Sequence, residues 1–433
     1  MSHGILLAAL CLGLTLPASA DLPLPKPVTP EDYVPFDPAL ARIGQLLFYD
    51  PILSGNRNIS CGTCHHHDLA SADGVALSLG EGGVGLGPAR RPGPDGIVKR
   101  IPRNAPALWN VGAREYDVLF HDGRVSLSPD YDNGFDSPAE EWLPSGLNGL
   151  LAVQALFPLV AQFEMAGNPG ENEIAGAVHD RIDAAWPLLA ARVRAIPAYR
   201  ALFAQAGIAE PQIADIANAL ADFMNAEWRS TDSPFDRFLA GAPSLSPAQE
   251  RGLALFYGKA GCAACHAGPL LTDHRFYALA LPPLGPGRTR RWDPFARDVG
   301  RMAESNRLED AYRFRTPSLR NVALTAPYGH NGTMPGLEDM VRHHLDPMGS
   351  LARWRPAMAA LPPAPGAEAT DLIVWQDKRE MARLRARLDI APRVLSDAEI
   401  ADIIAFLHAL TGTESLAGRL GRPNRVPSGL PVD

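Results

Sequence analysis

Two pentapeptides of one pattern constrain this chain more than anything else in it: Cys61-Gly62-Thr63-Cys64-His65 and Cys262-Ala263-Ala264-Cys265-His266. Residues 1–20, MSHGILLAALCLGLTLPASA, read as a secretory signal peptide, with an apolar run from Ile5 to Leu16 and small residues, Ala18 and Ala20, where a signal peptidase reads. Cleavage before Asp21 removes Cys11, and Leu10 is too bulky to precede a lipidated cysteine. The exported chain then keeps four cysteines, Cys61, Cys64, Cys262 and Cys265, all of them inside the two pentapeptides.

In an oxidising compartment four cysteines suggest two disulfides, and a lone C-x-x-C suggests a redox dithiol. Neither requires a histidine directly after the second cysteine, twice. Zinc needs two further ligands per site, and neither half supplies an obvious pair. The spacing suits covalent haem c, in which both thiols bond to the porphyrin edge and the adjacent histidine turns onto the iron. Two covalently bound haem c groups are therefore expected, with His65 and His266 on the two irons.

A chain of 433 residues exceeds what one core usually serves, so two domains are expected. With 48 acidic against 40 basic residues the net charge is −8, which offers no positive face for a nucleic acid. The leader's apolar run is too short to span a bilayer and no other segment is longer, so no membrane span is expected and the mature protein is placed in the periplasm.

Each haem motif sits in a similar helical setting. Asp37-Pro38 starts a helix carrying Leu40, Ile43 and Leu47, and Ser246-Pro247-Ala248-Gln249 forms a capping box ahead of Leu253, Leu255 and Phe256. Far downstream, Ile213, Ile216, Leu220 and Phe223 form one stripe, while Ser396 and Glu399 cap a helix with Ile400, Ile403, Ile404 and Leu407. The pattern predicts an all-α fold of two tandem class-I-like cytochrome c domains with long irregular loops, residues 21–240 and 241–433, joined near 237–247. Gly80-x-Gly82-x-x-Gly85 matches a dinucleotide fingerprint, but prolines at 88, 92 and 94 forbid the helix that must follow, so the segment reads as a loop over a cofactor. Residues 125–150 and 350–394 look like insertions, the second ending in the Arg-rich KREMARLRARL, read as a solvated helix.

The segments IGQLLFYDPILSGNRNISCGTCH, PRNAPALWNVG, FHDGR, DSPFDRFLAG, RGLALFYGKAGCAACH and FRTPSLRNVALTAPYGHNG resemble, in order and over nearly all of the mature chain, motifs of the bacterial di-haem cytochrome c peroxidases and their relative MauG. The resemblance implies that hydrogen peroxide reacts at the N-terminal haem, held by His65, and that the C-terminal haem, held by His266, relays electrons. It also implies a distal glutamine, Gln154, and a catalytic glutamate, Glu164, ten residues apart around Pro158. The chemistry is coherent, because peroxide must lose a proton from one oxygen and gain one on the other, which a single carboxyl can shuttle. For calcium, it implies the side chain of Asn104 with the backbone carbonyls of Thr325 and Pro327, an oxygen-only set that suits the ion.

Three departures from the family pattern stand out. Glu81 occupies the place of the distal-loop histidine, and no histidine occurs from 68 to 120, which implies a five-coordinate N-terminal iron, as in MauG. Counting fourteen residues from His330 to the relay haem's second ligand arrives at His344, which shares a helical stripe with Leu337, Met340 and Val341 while His343 points elsewhere. Met348, Met340 and Tyr328 are the alternatives, and a bis-histidine haem has a lower potential than a His/Met one. Finally, His121 stands where the family commonly has a tryptophan between the haems, with Trp109 and Trp142 as candidate substitutes.

The first expectation is a MauG-like oxidase acting with peroxide on an aromatic side chain of a partner protein, as in the branch found in methanobactin operons. The alternatives are a peroxidase reduced by a small cytochrome c or cupredoxin, and a di-haem electron carrier. A carrier has no use for an acid–base pair such as Gln154 and Glu164.

Overall fold

The computed structural model describes residues 23–288 and 296–433; the leader predicted over 1–20 lies outside the described residues. The chain is mostly helical, as expected, and its strands are two- or three-residue pieces that pair in small antiparallel sheets.

Six helices carry the argument: α1 (Pro38–Phe48), α2 (Leu150–Val160), α3 (Ile213–Glu227), α4 (Pro247–Tyr257), α5 (Leu337–Leu345) and α6 (Asp397–His408). Their starts follow local chemistry. Asp37 accepts the N–H groups of Ala39 and Leu40 at the head of α1, and Ser246 with Gln249 and Ser396 with Glu399 form reciprocal caps at α4 and α6.

In each half the helix before the haem motif crosses the long downstream helix at a glycine. A Cβ on Gly44 of α1 would fall 1.8 Å from the Ala219 carbonyl oxygen of α3, and one on Gly252 of α4 would fall 1.9 Å from that of Asp402 in α6. The next neighbours are also equivalent, Phe223 Cβ in the first crossing and Phe406 Cβ in the second. One packing solution is thus used twice. Each crossing lies over its own apolar cluster, Ile43, Leu47, Phe48, Leu220 and Phe223 in one and Leu253, Phe256, Ile403, Phe406 and Leu407 in the other.

The halves are interlocked rather than beaded. Residues 419–433, assigned from sequence to the second domain, return to the first: Val426 is buried in its core, Leu420, Leu430 and Val432 pack on it, and Gln45 Nε2 donates to the carbonyls of Leu420 and Gly421 at 2.6 Å. Ala76 and Leu77 of the first half are in turn buried in the second core.

The predicted loop over 80–96 contains a short hairpin pairing Gly83–Val84 with Arg91–Pro92, and no helix follows its glycines. The Arg-rich segment forms a helix over Lys378–Ala386 that buries Glu380, Met381 and Leu384 beneath an otherwise exposed face. No helix among the described residues is long and apolar enough to cross a membrane.

Candidate functional site

None of the four thiols is joined to another. Burial pushes Cys61 and Cys64 up to about 12 and Cys262 to about 11. A working redox dithiol needs the opposite shift, because the thiolate is the reactive form.

Three imidazoles share one arrangement. His65 Nδ1–H donates to the Ser71 carbonyl at 3.1 Å, His266 Nδ1–H to that of Leu271 at 3.0 Å, and His344 Nδ1–H to that of Met340 at 2.9 Å. A carbonyl can only accept, so in each ring Nε2 is left with its lone pair, the tautomer a metal requires. Burial, the larger effect, holds all three below the ordinary histidine value, His266 at about 4.

Around His266 and His344 lies a cavity of about 550 Å³ whose walls include Cys262, Cys265, Leu337, Met340 and Val341. Its size and apolar lining, with two thiols and two unprotonated nitrogens among the lining groups, fit a covalently held porphyrin. The predicted α5 stripe of Leu337, Met340, Val341 and His344 thus faces this space. His343 corrects its expected placement: it is the fully buried member of the pair, bonded through Nδ1 to Ser350 Oγ at 3.0 Å and through Nε2 to the Leu279 carbonyl at 2.8 Å. With both nitrogens engaged it has none for a metal. Among the alternatives to His344, Met348 is 38 % exposed on the surface, whereas Tyr328 donates its hydroxyl to the Val322 carbonyl at 2.8 Å and Met340 lines the cavity.

Helix α2 is buried on nearly every side, and Leu151, Gln154 and Pro158, at i, i+3 and i+7, are its accessible stripe. Leu151 and Gln154 line the same cavity as His266. Pro158 has no N–H to give the Gln154 carbonyl, and the helix stops two residues later at Val160. The chain then turns through a single π-type turn, Gln162–Ala166, which carries Glu164. Burial pushes Glu164 above the ordinary carboxylate value, with Arg124, Arg288 and Arg103 acting less strongly the other way. Its charge also bears on Cys64, which sets it within electrostatic reach of the N-terminal haem motif.

Glu81 is held by its surroundings. Its Oε1 accepts from Asn56 Nδ2 and Asn58 Nδ2, both at 2.8 Å, and its backbone N–H donates to Phe163 at 3.2 Å, one residue before Glu164.

For calcium, Asn104 Nδ2 donates to the Val75 carbonyl at 2.8 Å, which makes Oδ1 the free end of the amide, and Asn104, Thr325 and Pro327 all line the cavity. The donor set is all oxygen and fits the ion. His121 lines it as well, with Nε2–H on the Asn104 carbonyl at 3.2 Å; burial, aided by Arg103, lowers it to about 4. Of the two candidate tryptophans, Trp109 lines the cavity with a buried, unbonded Nε1, whereas Trp142 is 45 % exposed beneath Arg181.

Sequence reasoning missed two constellations. Asp122, fully buried, pairs with Arg103 at 2.6 Å, Arg288 at 3.0 Å and Arg124 at 3.3 Å, tying segments from both halves. His67, in the histidine run after Cys64, bonds to Tyr49 and to buried Glu227. The run itself, CHHHD, was the one available signal for the second.

A family model described as di-haem cytochrome c peroxidase matches residues 38–244. The chain is 30 % identical over 417 residues to the cytochrome-c peroxidase IdrP1 of Denitromonas iodatirespirans, covering 91 % of this chain and 87 % of that one. It is 31 % identical over 345 residues to the methylamine utilization protein MauG of Methylorubrum extorquens, covering 78 % and 75 %. Among solved structures, a MauG-like protein associated with microbial copper homeostasis is similar with a TM-score of 0.58 and 28 % identity, over 92 % of this chain and 97 % of that one.

Proposed function

Since the chain belongs to the di-haem cytochrome c peroxidase and MauG family of enzymes, we propose that it uses hydrogen peroxide at its N-terminal haem to oxidise an aromatic side chain of a partner protein, with electrons relayed through the C-terminal haem. The observation that carries this reading is the hold on Glu81. The residue at the distal-loop position is a carboxylate already engaged by Asn56 and Asn58, so the loop brings no imidazole to the N-terminal iron.

A haem in that place supplies the centre at which peroxide is cleaved and the oxidising equivalents are held. His65 would hold it through Nε2, its ring fixed by the Ser71 carbonyl. Glu164, desolvated and raised, takes the proton from one peroxide oxygen and returns it to the departing one. Gln154, on the accessible face of α2, would orient peroxide with its amide, and Pro158 ends the helix ahead of the turn that carries Glu164. His266 and His344 would hold the relay haem, and Asn104, Thr325 and Pro327 would hold calcium. The leader-like sequence of residues 1–20 supports a periplasmic location for this chemistry.

A second reading, a peroxidase that reduces peroxide with electrons from a small cytochrome c or cupredoxin, is favoured by the likeness to IdrP1 over 91 % of the chain. Steady-state turnover separates the two: the proposal expects negligible oxidation of reduced cytochrome c or cupredoxin and a long-lived peroxide-oxidised state. Rapid turnover with either donor assigns the protein to the second reading.

A further inference from the structure

We infer that Tyr49 is a redox-active tyrosine, which passes an electron to the peroxide-oxidised N-terminal haem while its phenolic proton moves to His67. The inference rests on the peroxide reading above.

Tyr49 follows α1 and is fully buried. Its ring lies on the backbone of Gly62, between the two haem-binding thiols: a Cβ on Gly62 would fall 2.3 Å from Tyr49 Cε1. The phenol is thus packed on the segment that holds the porphyrin edge. Its hydroxyl is hydrogen-bonded to His67 Nδ1, and Nε2 of the same ring is 2.7 Å from Glu227 Oε1.

Glu227 fixes the direction of this chain. It is fully buried and also accepts the backbone N–H groups of Leu420 at 2.6 Å and Arg419 at 3.0 Å. Burial alone would raise its pKa, but the hydrogen bonds from His67, Leu420 and Arg419 outweigh it and hold the carboxyl below its ordinary value. An ionised carboxylate can only accept, so His67 carries its proton on Nε2 and presents the Nδ1 lone pair to the phenol.

The step balances. The Tyr49 O–H bond breaks, one electron goes to the oxidised haem, and the proton goes to His67 Nδ1. The products are a neutral phenoxyl radical and an imidazolium held against the Glu227 carboxylate. Without that base, oxidation would leave an uncompensated positive charge on a buried ring, which a desolvated interior strongly disfavours. Trp228, whose ring is 5.4 Å from that of His67, stands next in the same aromatic cluster.

The test uses the ferric di-haem protein, mixed with hydrogen peroxide and freeze-quenched for electron paramagnetic resonance. The expected result is a tyrosyl radical signal that narrows on ring-deuteration of tyrosine and is absent in Tyr49→Phe. His67→Gln should slow its formation by about a hundredfold while leaving both haem spectra intact. The same signal in Tyr49→Phe, or a wild-type protein whose haems respond to peroxide with no radical, overturns the inference. If the haem absorption does not respond to peroxide, the peroxide reading fails on its own. A photogenerated ruthenium polypyridyl oxidant then decides the tyrosine separately: a radical yield that falls in Tyr49→Phe supports the assignment, and equal yields overturn it.

Discussion

The rings of His266 and His344 face each other with their centroids 6.4 Å apart and their planes inclined by 62°. Two metal–imidazole bonds of about 2 Å each, with the two ring half-widths, span about 6 Å. The observed separation matches that span. Replacing His344 by Gly is expected to convert one of the two ferric haems from low spin to high spin. His343→Gln should leave the spin states unchanged and lower stability by about 1–3 kcal/mol, because it unseats a doubly bonded buried ring. Electron paramagnetic resonance with thermal unfolding reads both outcomes, and an unaltered spectrum in His344→Gly would pass the ligand role to Met340 or Tyr328.

Glu164→Gln keeps the size and burial of the side chain and removes its proton exchange. Both haem spectra should remain, while the rate of reaction with peroxide falls by about 10²–10⁴. Because burial raises Glu164, the wild-type rate should titrate above the ordinary carboxylate range, and the variant should lose that dependence. Stopped-flow absorption across pH measures it.

Asp122→Asn should cost about 3–5 kcal/mol, since it leaves the Arg124 guanidinium without its carboxylate in the interior, whereas Arg103 keeps Asp298 and Arg288 keeps Glu304. Burial opposes ionisation of Asp122, but the charges of Arg103, Arg124 and Arg288 prevail and hold it well below the ordinary value of 3.8. A carboxyl lower in the folded than in the unfolded state stabilises fully above the unfolded value, and the contribution declines as pH falls below it. Urea unfolding should show the wild type losing stability below about pH 4 more steeply than the variant.

The two glycine crossings predict separable defects. A methyl group at Gly44 or Gly252 meets a backbone carbonyl that cannot yield without moving a helix. Each alanine variant should lose at least the 1–3 kcal/mol or so typical of overpacking. Gly44→Ala should deplete the haem on Cys61 and Cys64, and Gly252→Ala the one on Cys262 and Cys265. Peptide mass spectrometry of the haem-bearing fragments distinguishes them.

For calcium, metal analysis of the purified protein should find about one ion per chain, and Asn104→Ala should lower that content. Full occupancy in the variant would remove Asn104 from the ligand set.

What could be read beforehand was local in the chain. The haem pentapeptides, the caps at Asp37, Ser246 and Ser396, and the Gln154–Pro158–Glu164 spacing are all written within a dozen residues. The α5 stripe was legible as well, yet its neighbouring histidines were sorted wrongly for burial, because a side chain facing a cofactor space is less enclosed by protein than one clamped by Ser350 and Leu279. The rest was hidden by distance along the chain. His67 and Glu227 are separated by 160 positions, and the Thr63–Asp433 hydrogen bond by 370. No periodicity marks such pairs; a buried glutamate at the end of an apolar helix looks in sequence like any solvent-facing one.

The return of residues 419–433 ties the two halves into one folding problem. The Thr63 hydroxyl donates to Asp433, 370 positions away, and Val426 fills a place in the first half's core. The first half therefore completes its packing around the CGTCH segment only once chain from beyond the second half has come back to it.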